Sequence, residues 1–254
     1  MNTLEPIIEC MLNPFLSAQR EAPNFVNTDR IKAVKIFHQS LPGYRVTPLV
    51  ELEALAARLG IDSLMIKDES QRFELKAFKV LGASYAIAKE IKRQLGLNND
   101  EITFNAITAH DNVLKSLTFV TATDGNHGRA VAWCAEKFGC KAVVFMPRGT
   151  SASRLESIQS YGARAEITGL NYDETVVFAA QQAKENNWIL LQDSSWEGYK
   201  TIPRHIMQGY FGLVSEFEDQ TMTWPTHVLA QAGVGSFAAA MFSYFLASPN
   251  PTPQ

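Results

Sequence analysis

The stretch KAVVFMPRGTSASRLESIQSYGARAEIT, residues 141–168, contains one complete unit of alternating secondary structure. Its first part, Lys141 to Pro147, is an apolar run rich in β-branched and aromatic residues, as in a buried strand. In the segment that follows, Leu155 and Ile158 lie at helical spacing. The run from Ala165 to Thr168 then indicates a second strand. This succession predicts a parallel βαβ unit.

The same alternation continues on both sides of this unit. We expect, in chain order, a helix begun at Thr47-Pro48, a strand in Ser116–Gly125 that runs into a glycine turn, a helix through residues 129–139, a helix from about Tyr172 to Asn186, a buried strand ending at Asp193, and a strand to Ala230 followed by a glycine turn and a helix. The sequence therefore predicts an α/β fold with parallel-type sheets flanked by helices.

Composition narrows the classes of function. A chain of 254 residues that is 46% hydrophobic and 19% charged can bury a sizeable core, which argues against disorder. The net charge of -3 offers no basic surface for nucleic acid. Three cysteines and five scattered histidines show no metal-ligand spacing. The N-terminal residues MNTLEPIIECMLNPF are acidic where a signal peptide is basic, and no apolar run reaches membrane-spanning length. We therefore expect a cytoplasmic protein that binds neither a metal nor a membrane.

A lysine at a predicted helix start is the first candidate site. The segment ELKAFKVLGASY, residues 74–85, places Lys79 among apolar residues. If the helix begins near Ala77, Lys79 shares a face with the small residues Gly82 and Ala83, and a flat ring could approach its amine. A desolvated lysine amine forms Schiff bases readily. The alternative is a lysine whose stem is buried and whose amine reaches water.

The second candidate is the turn in TATDGNHGRA. Gly125, Asn126, His127 and Gly128 connect a predicted strand to a predicted helix, where backbone N–H groups converge and favour an anion or phosphate. Alternatively, the glycines are present only because the backbone of this turn needs a positive φ. Asp124 puts a carboxylate beside this anion site, which favours a role in proton transfer. An Asx turn or helix cap is the other interpretation of Asp124.

The third candidate is the segment AGVGSFA, which starts at Ala232 and matches G-x-G-x-x-A after a predicted strand. A dinucleotide site also needs an acidic residue about 20 positions further on. After Asp219 the chain has no Asp or Glu. The segment therefore favours a phosphate cradle for a smaller cofactor.

Asp193 is the fourth candidate, because ligands bind at the carboxyl ends of parallel strands. Capping of the next helix is the alternative role for this residue. His127 and His205 have no metal or nucleophile partner in the sequence, and we interpret both as structural.

Taken in order, these motifs resemble the pyridoxal-phosphate enzymes of the tryptophan-synthase-β type (fold type II), and within them the diaminopropionate ammonia-lyases. The likeness lies in six segments: LPGYRVTPL, MIKDESQRFELKAFKVLGASYA, TATDGNHGRAVAW, VVFMPRGTSASRLESIQSYGA, LLQDSSWEGY and QAGVGSFAA. They are spread over nearly the whole chain.

The resemblance implies a role for each candidate. Lys79 forms the Schiff base with pyridoxal 5'-phosphate, Asn126 binds the ring 3-hydroxyl beside Gly125, and Asp124 replaces the small or hydroxyl residue usual in serine and threonine dehydratases. The phosphate-binding turn that the resemblance implies is Gly233, Val234, Gly235 and Ser236.

The implied reaction is α,β-elimination from 2,3-diaminopropionate, which gives an aminoacrylate that hydrolyses to pyruvate and ammonia. Lys79 and Asp124 would remove the Cα proton from opposite faces, so both enantiomers would react. Asp193 would bind the second amine of this small amino-acid substrate or act as a second acid or base.

The chain departs from the family pattern at several positions. Glu74 stands where a glycine is expected, Lys76 where an asparagine is expected and Ala130 where a glycine is expected. Family members also continue well beyond the turn at Gly235. We therefore expect a truncated product, and three alternatives stay open: a serine or threonine dehydratase, a catalytically inactive fragment acting as an interaction module, and, more distantly, a dinucleotide-binding protein.

The resemblance also implies a domain organisation. Residues 1–83 and 197–254 would form an incomplete large domain around a small α/β domain of residues 84–196. Full-length relatives are homodimers, so the resemblance implies self-association.

Overall fold

The computed structural model describes residues 21–97, 102–123 and 125–250. Its helices are α1 (Thr28–Ser40), α2 (Glu53–Leu59), α3 (Lys79–Gln94), α4 (Phe104–Thr108), α5 (Asp111–Leu114), α6 (Asn126–Phe138), α7 (Ala152–Gln159), α8 (Tyr172–Glu185), α9 (Thr201–Gln220) and α10 (Ser236–Ala247). Its strands are β1 (Leu49–Glu51), β2 (Met65–Lys67), β3 (Thr118–Ala122), β4 (Lys141–Met146), β5 (Arg164–Ile167) and β6 (Ile189–Leu190), and a 3-10 turn spans Glu69–Gln71. The α/β class is confirmed.

The main sheet is parallel and has the order β5-β4-β3-β6. Val120 of β3 lies opposite Val143 of β4, and the quoted unit forms β4, α7 and β5 as expected. The sheet contacts α6 and α8, so the central strands β3 and β4 are largely buried. This burial explains why they read as continuous apolar runs rather than alternating ones.

β6 is shorter than the run that ends at Asp193 predicts. Only Ile189 and Leu190 pair with β3 as a strand. One further ladder-like bond joins the Leu191 N–H to the Val120 carbonyl at 2.8 Å. Asp193 therefore lies in a buried irregular segment just past the strand, still at the carboxyl end of the sheet.

A layer of helices is built around α3 and α9. The two helices cross where Gly82 and Gly209 meet, and a Cβ added at Gly209 would lie 2.3 Å from the Leu81 carbonyl oxygen. Their contact belongs to one buried apolar cluster that also takes in α1, α6 and α10. The domain boundary expected after residue 83 falls inside α3, and the domain limits stay a prediction.

The prediction that a helix begins at Thr47-Pro48 is wrong. Residues 49–51 form β1 and pair antiparallel with β2, Leu49 opposite Lys67, and the helix α2 begins only at Glu53. A residue before proline avoids the helical region, and the β2 strand supplies partners for the extended backbone that follows. The apolar pattern of this segment fits a helix, but strand pairing decides its first residues.

The strand expected up to Ala230 is also absent, since residues 227–232 of the described chain are irregular. Leu229 is 94% exposed. In the ranges that the structure covers, no strand lies beside this segment to pair its backbone. A strand requires such a partner for its N–H and C=O groups.

Candidate active site

The amine of Lys79 is held by a carboxylate far away in sequence. Lys79 is the first residue of α3, and its Nζ lies 2.6 Å from Oδ2 of Asp193. The two side chains are 21% and 6% exposed. The Nζ atom also lies 5.8 Å from the centre of the Phe78 ring. The amine is thus paired and partly buried, with its hydrogen bond directed into the protein.

The polypeptide approaches Lys79 through a tight loop. Phe73 and Lys76 have positive φ values of 47° and 54°, and Phe78 then precedes the first turn of α3. Two of the three departures from the family pattern, Glu74 and Lys76, lie in this loop. Glu74 accepts a hydrogen bond from the indole N–H of Trp133, and Lys76 is exposed.

Asp193 is ionised despite its burial. Burial alone would raise the pKa of this carboxyl, but the neighbouring His127 imidazole, the charge of Lys79 and the hydrogen bond from Lys79 bring the pKa below its ordinary value. The carboxylate and the lysine ammonium therefore form a buried ion pair.

His127, which the sequence led us to interpret as structural, contacts this ion pair. Its ring is buried on the first turn of α6, with Nε2 2.8 Å from the Leu191 carbonyl oxygen and Nδ1 3.8 Å from Asp193 Oδ2. Burial lowers the pKa of His127. The sequence signal that could have placed His127 at the site is its position next to Asn126 in the turn. His205 lies on α9.

The glycine turn before α10 joins the site through Asp193. The Ser236 hydroxyl donates a hydrogen bond to the backbone carbonyl of Asp193. Gly235, with φ 90°, directly precedes Ser236, the first residue of α10, and no side chain caps the helix. The first N–H groups of a helix lack intrahelical partners. Together with exposed Gly233 and Val234, this turn presents the kind of uncapped helix N-terminus at which anions bind in proteins.

The GNHG turn opens on a cleft of about 390 Å³. The residues that line it are Gly125, Asn126, Arg129, Ser153, Arg154 and Ser157. Gly125 has a φ of -178°, an extended conformation that any residue can adopt, so a positive φ does not explain the glycine at this position. Gly128 is required by packing, since a Cβ there would lie 2.2 Å from Thr123 Cγ2. Asp124 lies outside the described residues.

The described part of the chain holds no group of three or more His, Cys, Asp or Glu side chains placed to bind a metal ion. Within the same ranges, no helix combines the length and apolarity needed to cross a membrane.

The parallel sheet, the paired lysine at its carboxyl end and the glycine turn before a helix define the class of protein. Residues 40–254 match the family of pyridoxal-phosphate dependent enzymes, and the chain belongs to that family. This confirms the resemblance and identifies the cofactor as pyridoxal 5'-phosphate.

The relatives point to one branch of the family. The chain is 49% identical over 219 residues to the diaminopropionate ammonia-lyase of Salmonella typhimurium (strain LT2), covering 84% of this chain and 54% of the relative. It is 41% identical over 229 residues to the diaminopropionate ammonia-lyase of Escherichia coli (strain K12), covering 89% and 57%. The chain therefore spans a little over half the length of these relatives.

Solved structures of the Escherichia coli enzyme have the same fold. The apo form matches with a TM-score of 0.84 and 41% identity over 89% of this chain and 62% of that one. The complex with D-serine matches with a TM-score of 0.85 and 41% identity over 89% and 58%. The fold type II architecture expected from the sequence is confirmed.

The residues present fit the cofactor. Lys79 supplies a partly buried amine, and the turn before α10 supplies backbone N–H groups without side-chain partners. Asp193 ties the two together, because its carboxylate holds Lys79 while its carbonyl accepts from Ser236. Pyridoxal phosphate carries an aldehyde, which reacts with an amine, and a phosphate, which binds backbone N–H groups, so its two groups match these two features.

Proposed function

We propose that this chain is part of an enzyme that removes ammonia from 2,3-diaminopropionate by α,β-elimination, giving pyruvate and ammonia. The observation that carries the proposal is the Lys79–Asp193 pair, at 2.6 Å. Identity of 49% to a diaminopropionate ammonia-lyase supports the same substrate.

Each residue of the site has a task in this reaction. Lys79 holds the cofactor, and the backbone of Gly233, Val234, Gly235 and Ser236 holds its phosphate. Asn126, next to Gly125, binds the ring hydroxyl. When bound, the cofactor supplies an acceptor for the electrons left on the substrate's Cα.

Proton transfer falls to two groups on opposite faces. Lys79 Nζ takes the Cα proton from one face and the Asp124 carboxylate from the other, which accounts for reaction of both enantiomers. Asp193 attracts the cationic β-amine of the substrate. A serine hydroxyl carries no charge, so a buried carboxylate favours the diamine over serine.

The alternative substrate class is serine or threonine. The chain is 26% identical over 144 residues to the threonine dehydratase of Salmonella typhimurium (strain LT2), a lower identity over a shorter alignment. An inactive fragment is the other alternative.

Cofactor attachment is tested by incubating the purified chain with pyridoxal phosphate, reducing it with borohydride and locating the modified lysine by peptide mass spectrometry. We expect the label on Lys79, its loss in Lys79→Ala, and its retention in Lys76→Ala, a control three residues away at an exposed position. A label on Lys76, or spread over surface lysines, contradicts the proposal.

The substrate is tested by pyruvate formation from 2,3-diaminopropionate and from serine, each at the same concentration. Faster turnover of the diamine, lost in Asp193→Asn more than turnover of serine, supports the ammonia-lyase. Faster turnover of serine supports the dehydratase. Labelled Lys79 without turnover of either supports an inactive fragment.

We also propose that the protein is a cytoplasmic homodimer that takes a small amino acid as substrate. The dimer and the compartment rest on family resemblance. Sedimentation equilibrium of the purified chain checks the dimer, and a single monomeric species would contradict it.

A further inference from the structure

The environment of His127 contains a feature that binding of the cofactor does not use. The ring is 4% exposed, and its Nδ1 atom has no hydrogen-bond partner in the described chain. A buried polar atom without a partner costs free energy, so its retention calls for a reason.

The contacts of the ring determine its tautomer. Nε2 lies 2.8 Å from the Leu191 carbonyl oxygen, which can only accept, so Nε2 carries the hydrogen. Burial lowers the pKa of His127, and the positive charge of Lys79 lowers it further against the opposing charge of Asp193. The ring is therefore neutral near pH 7, and Nδ1 presents a lone pair to Asp193.

Asp193 Oδ2 lies between two nitrogens. Lys79 Nζ is 2.6 Å from it and His127 Nδ1 is 3.8 Å from it. A lone pair facing a carboxylate cannot form a hydrogen bond until one proton is added to the pair. His127 and Asp193 together thus form a buried site for one proton, next to an ammonium group that keeps the site empty by repulsion.

We propose that His127 is a positioning residue that, through Asp193, receives the proton Lys79 must lose before its amine can react. The inference rests on the proposed function. An N–H bond of the Lys79 ammonium breaks, and the proton passes by way of Asp193 Oδ2 to the lone pair on Nδ1 of His127. Asp193 remains a carboxylate, now paired with the His127 imidazolium. The net charge of the three groups is unchanged, so the transfer adds no uncompensated charge to the buried site.

The other titratable groups near Asp193 do not compete for this proton. Burial raises the pKa of Tyr199 and of Tyr210, with a further contribution from the Asp193 charge, so both phenols stay neutral. Tyr210 lies on α9 and Lys79 on α3. Of the described groups, His127 and Lys79 are the bases that lower the pKa of Asp193.

The test is an imidazole ¹⁵N NMR titration of the histidine-labelled chain without cofactor. We expect the Nε2–H tautomer of His127 at pH 7. In Lys79→Met the His127 midpoint moves to higher pH, because a positive charge is lost while Asp193 remains. In Asp193→Asn it moves to lower pH. The spectrum of His127→Gln identifies the signal.

His38 is a matched control. It is also buried, its Nε2 lies 3.0 Å from the Leu81 carbonyl and its Nδ1 lacks a partner, but the charges acting on it are Arg72 and Glu216. Its midpoint should stay in place in both variants. A His127 midpoint that ignores Lys79→Met, or that moves together with His38, overturns the inference.

A second measurement connects the pair to Lys79 chemistry. In His127→Gln the side-chain amide can still donate a hydrogen bond to the Leu191 carbonyl, but the proton-accepting Nδ1 is lost. The pH of half-maximal pyridoxal phosphate capture should therefore move upward. In His38→Gln this pH should equal that of the unmodified chain. An unchanged profile in His127→Gln contradicts the inference while Lys79 labelling still stands. If pyridoxal phosphate does not label Lys79, the proposed function is contradicted, but the cofactor-free titration still tests the inference.

Discussion

Arg72 and Glu216 form a buried two-point ion pair, with guanidinium Nη1 and Nη2 lying 2.7 and 2.8 Å from the two carboxylate oxygens. Arg72 is fully buried and Glu216 is 2% exposed. Burial alone would raise the pKa of Glu216, but the hydrogen bonds and charge of Arg72, together with Lys67 and Tyr44, lower it to about 2. The pair joins the loop before Lys79 to α9.

Removing one partner of this pair should be strongly destabilising. We expect Arg72→Met to lower the free energy of unfolding by about 3–5 kcal/mol, because the Glu216 carboxylate is left buried without its main partner. Urea denaturation measures this change. The control is Arg164→Met, whose partner Glu166 is 3.5 Å away at the surface and whose loss should cost less than about 1 kcal/mol. Equal effects of the two substitutions would contradict the role given to the buried pair.

Acid should destabilise the protein through His38. Burial lowers the pKa of His38 to about 4, against 6.5 for an exposed histidine. Between these two values the unfolded chain binds more protons than the folded one, so stability is full above pH 6.5 and falls as the pH drops toward 4, by about 3 kcal/mol for this group. In His38→Gln, which retains a donor for the Leu81 carbonyl, this part of the loss should disappear. Thermal unfolding from pH 7 to pH 4 measures the slope, and identical slopes for both proteins would refute the prediction.

The crossing of α3 and α9 should not tolerate a methyl group at Gly209. An added Cβ would lie 2.3 Å from the Leu81 carbonyl oxygen and 2.8 Å from Gly82 Cα, both backbone atoms. Alanine gains about 1 kcal/mol in helix propensity, but the two helices must separate, which costs about 1–3 kcal/mol or more. We expect net destabilisation of Gly209→Ala by urea denaturation. Gly169→Ala, where an added Cβ meets nothing within 4 Å, should stay within about 0.5 kcal/mol of the parent. A stabilised Gly209→Ala would show that the helices can move apart freely.

Lys76 occupies a backbone conformation that suits another residue. Its φ of 54° is in the left-handed region, which asparagine and glycine adopt at lower cost than lysine. We expect Lys76→Asn to raise the free energy of unfolding by up to about 1 kcal/mol. Lys76→Val, with a β-branched side chain at the same φ, should lower it. Chemical denaturation of both variants measures the difference, and the reverse order would mean that the loop before Lys79 relaxes out of this conformation.

Much of the fold could be predicted from local signals. The runs that form β3 and β4, the periodicity of α6 and α7, and the glycines around Asn126 and Gly235 are short-range features, and the structure places them as expected. The start of α2 and the irregular segment at Leu229 were mispredicted, because strands form only where a second backbone segment can pair with them. The site was predictable as a set of separate candidates, and its geometry was not.

By itself, the sequence determined the α/β class, because strand and helix periodicity are properties of neighbouring residues. Its resemblance to known motifs indicated the family and the candidate residues for the cofactor site. Only the tertiary structure decided that Lys79 meets Asp193, 114 positions away, and that His127 turns its free nitrogen toward the same carboxylate. Those contacts depend on the packing of α3 and α6 at the carboxyl end of the sheet. A carboxylate at 2.6 Å fixes the position of the Lys79 amine, and no local pattern encodes that distance.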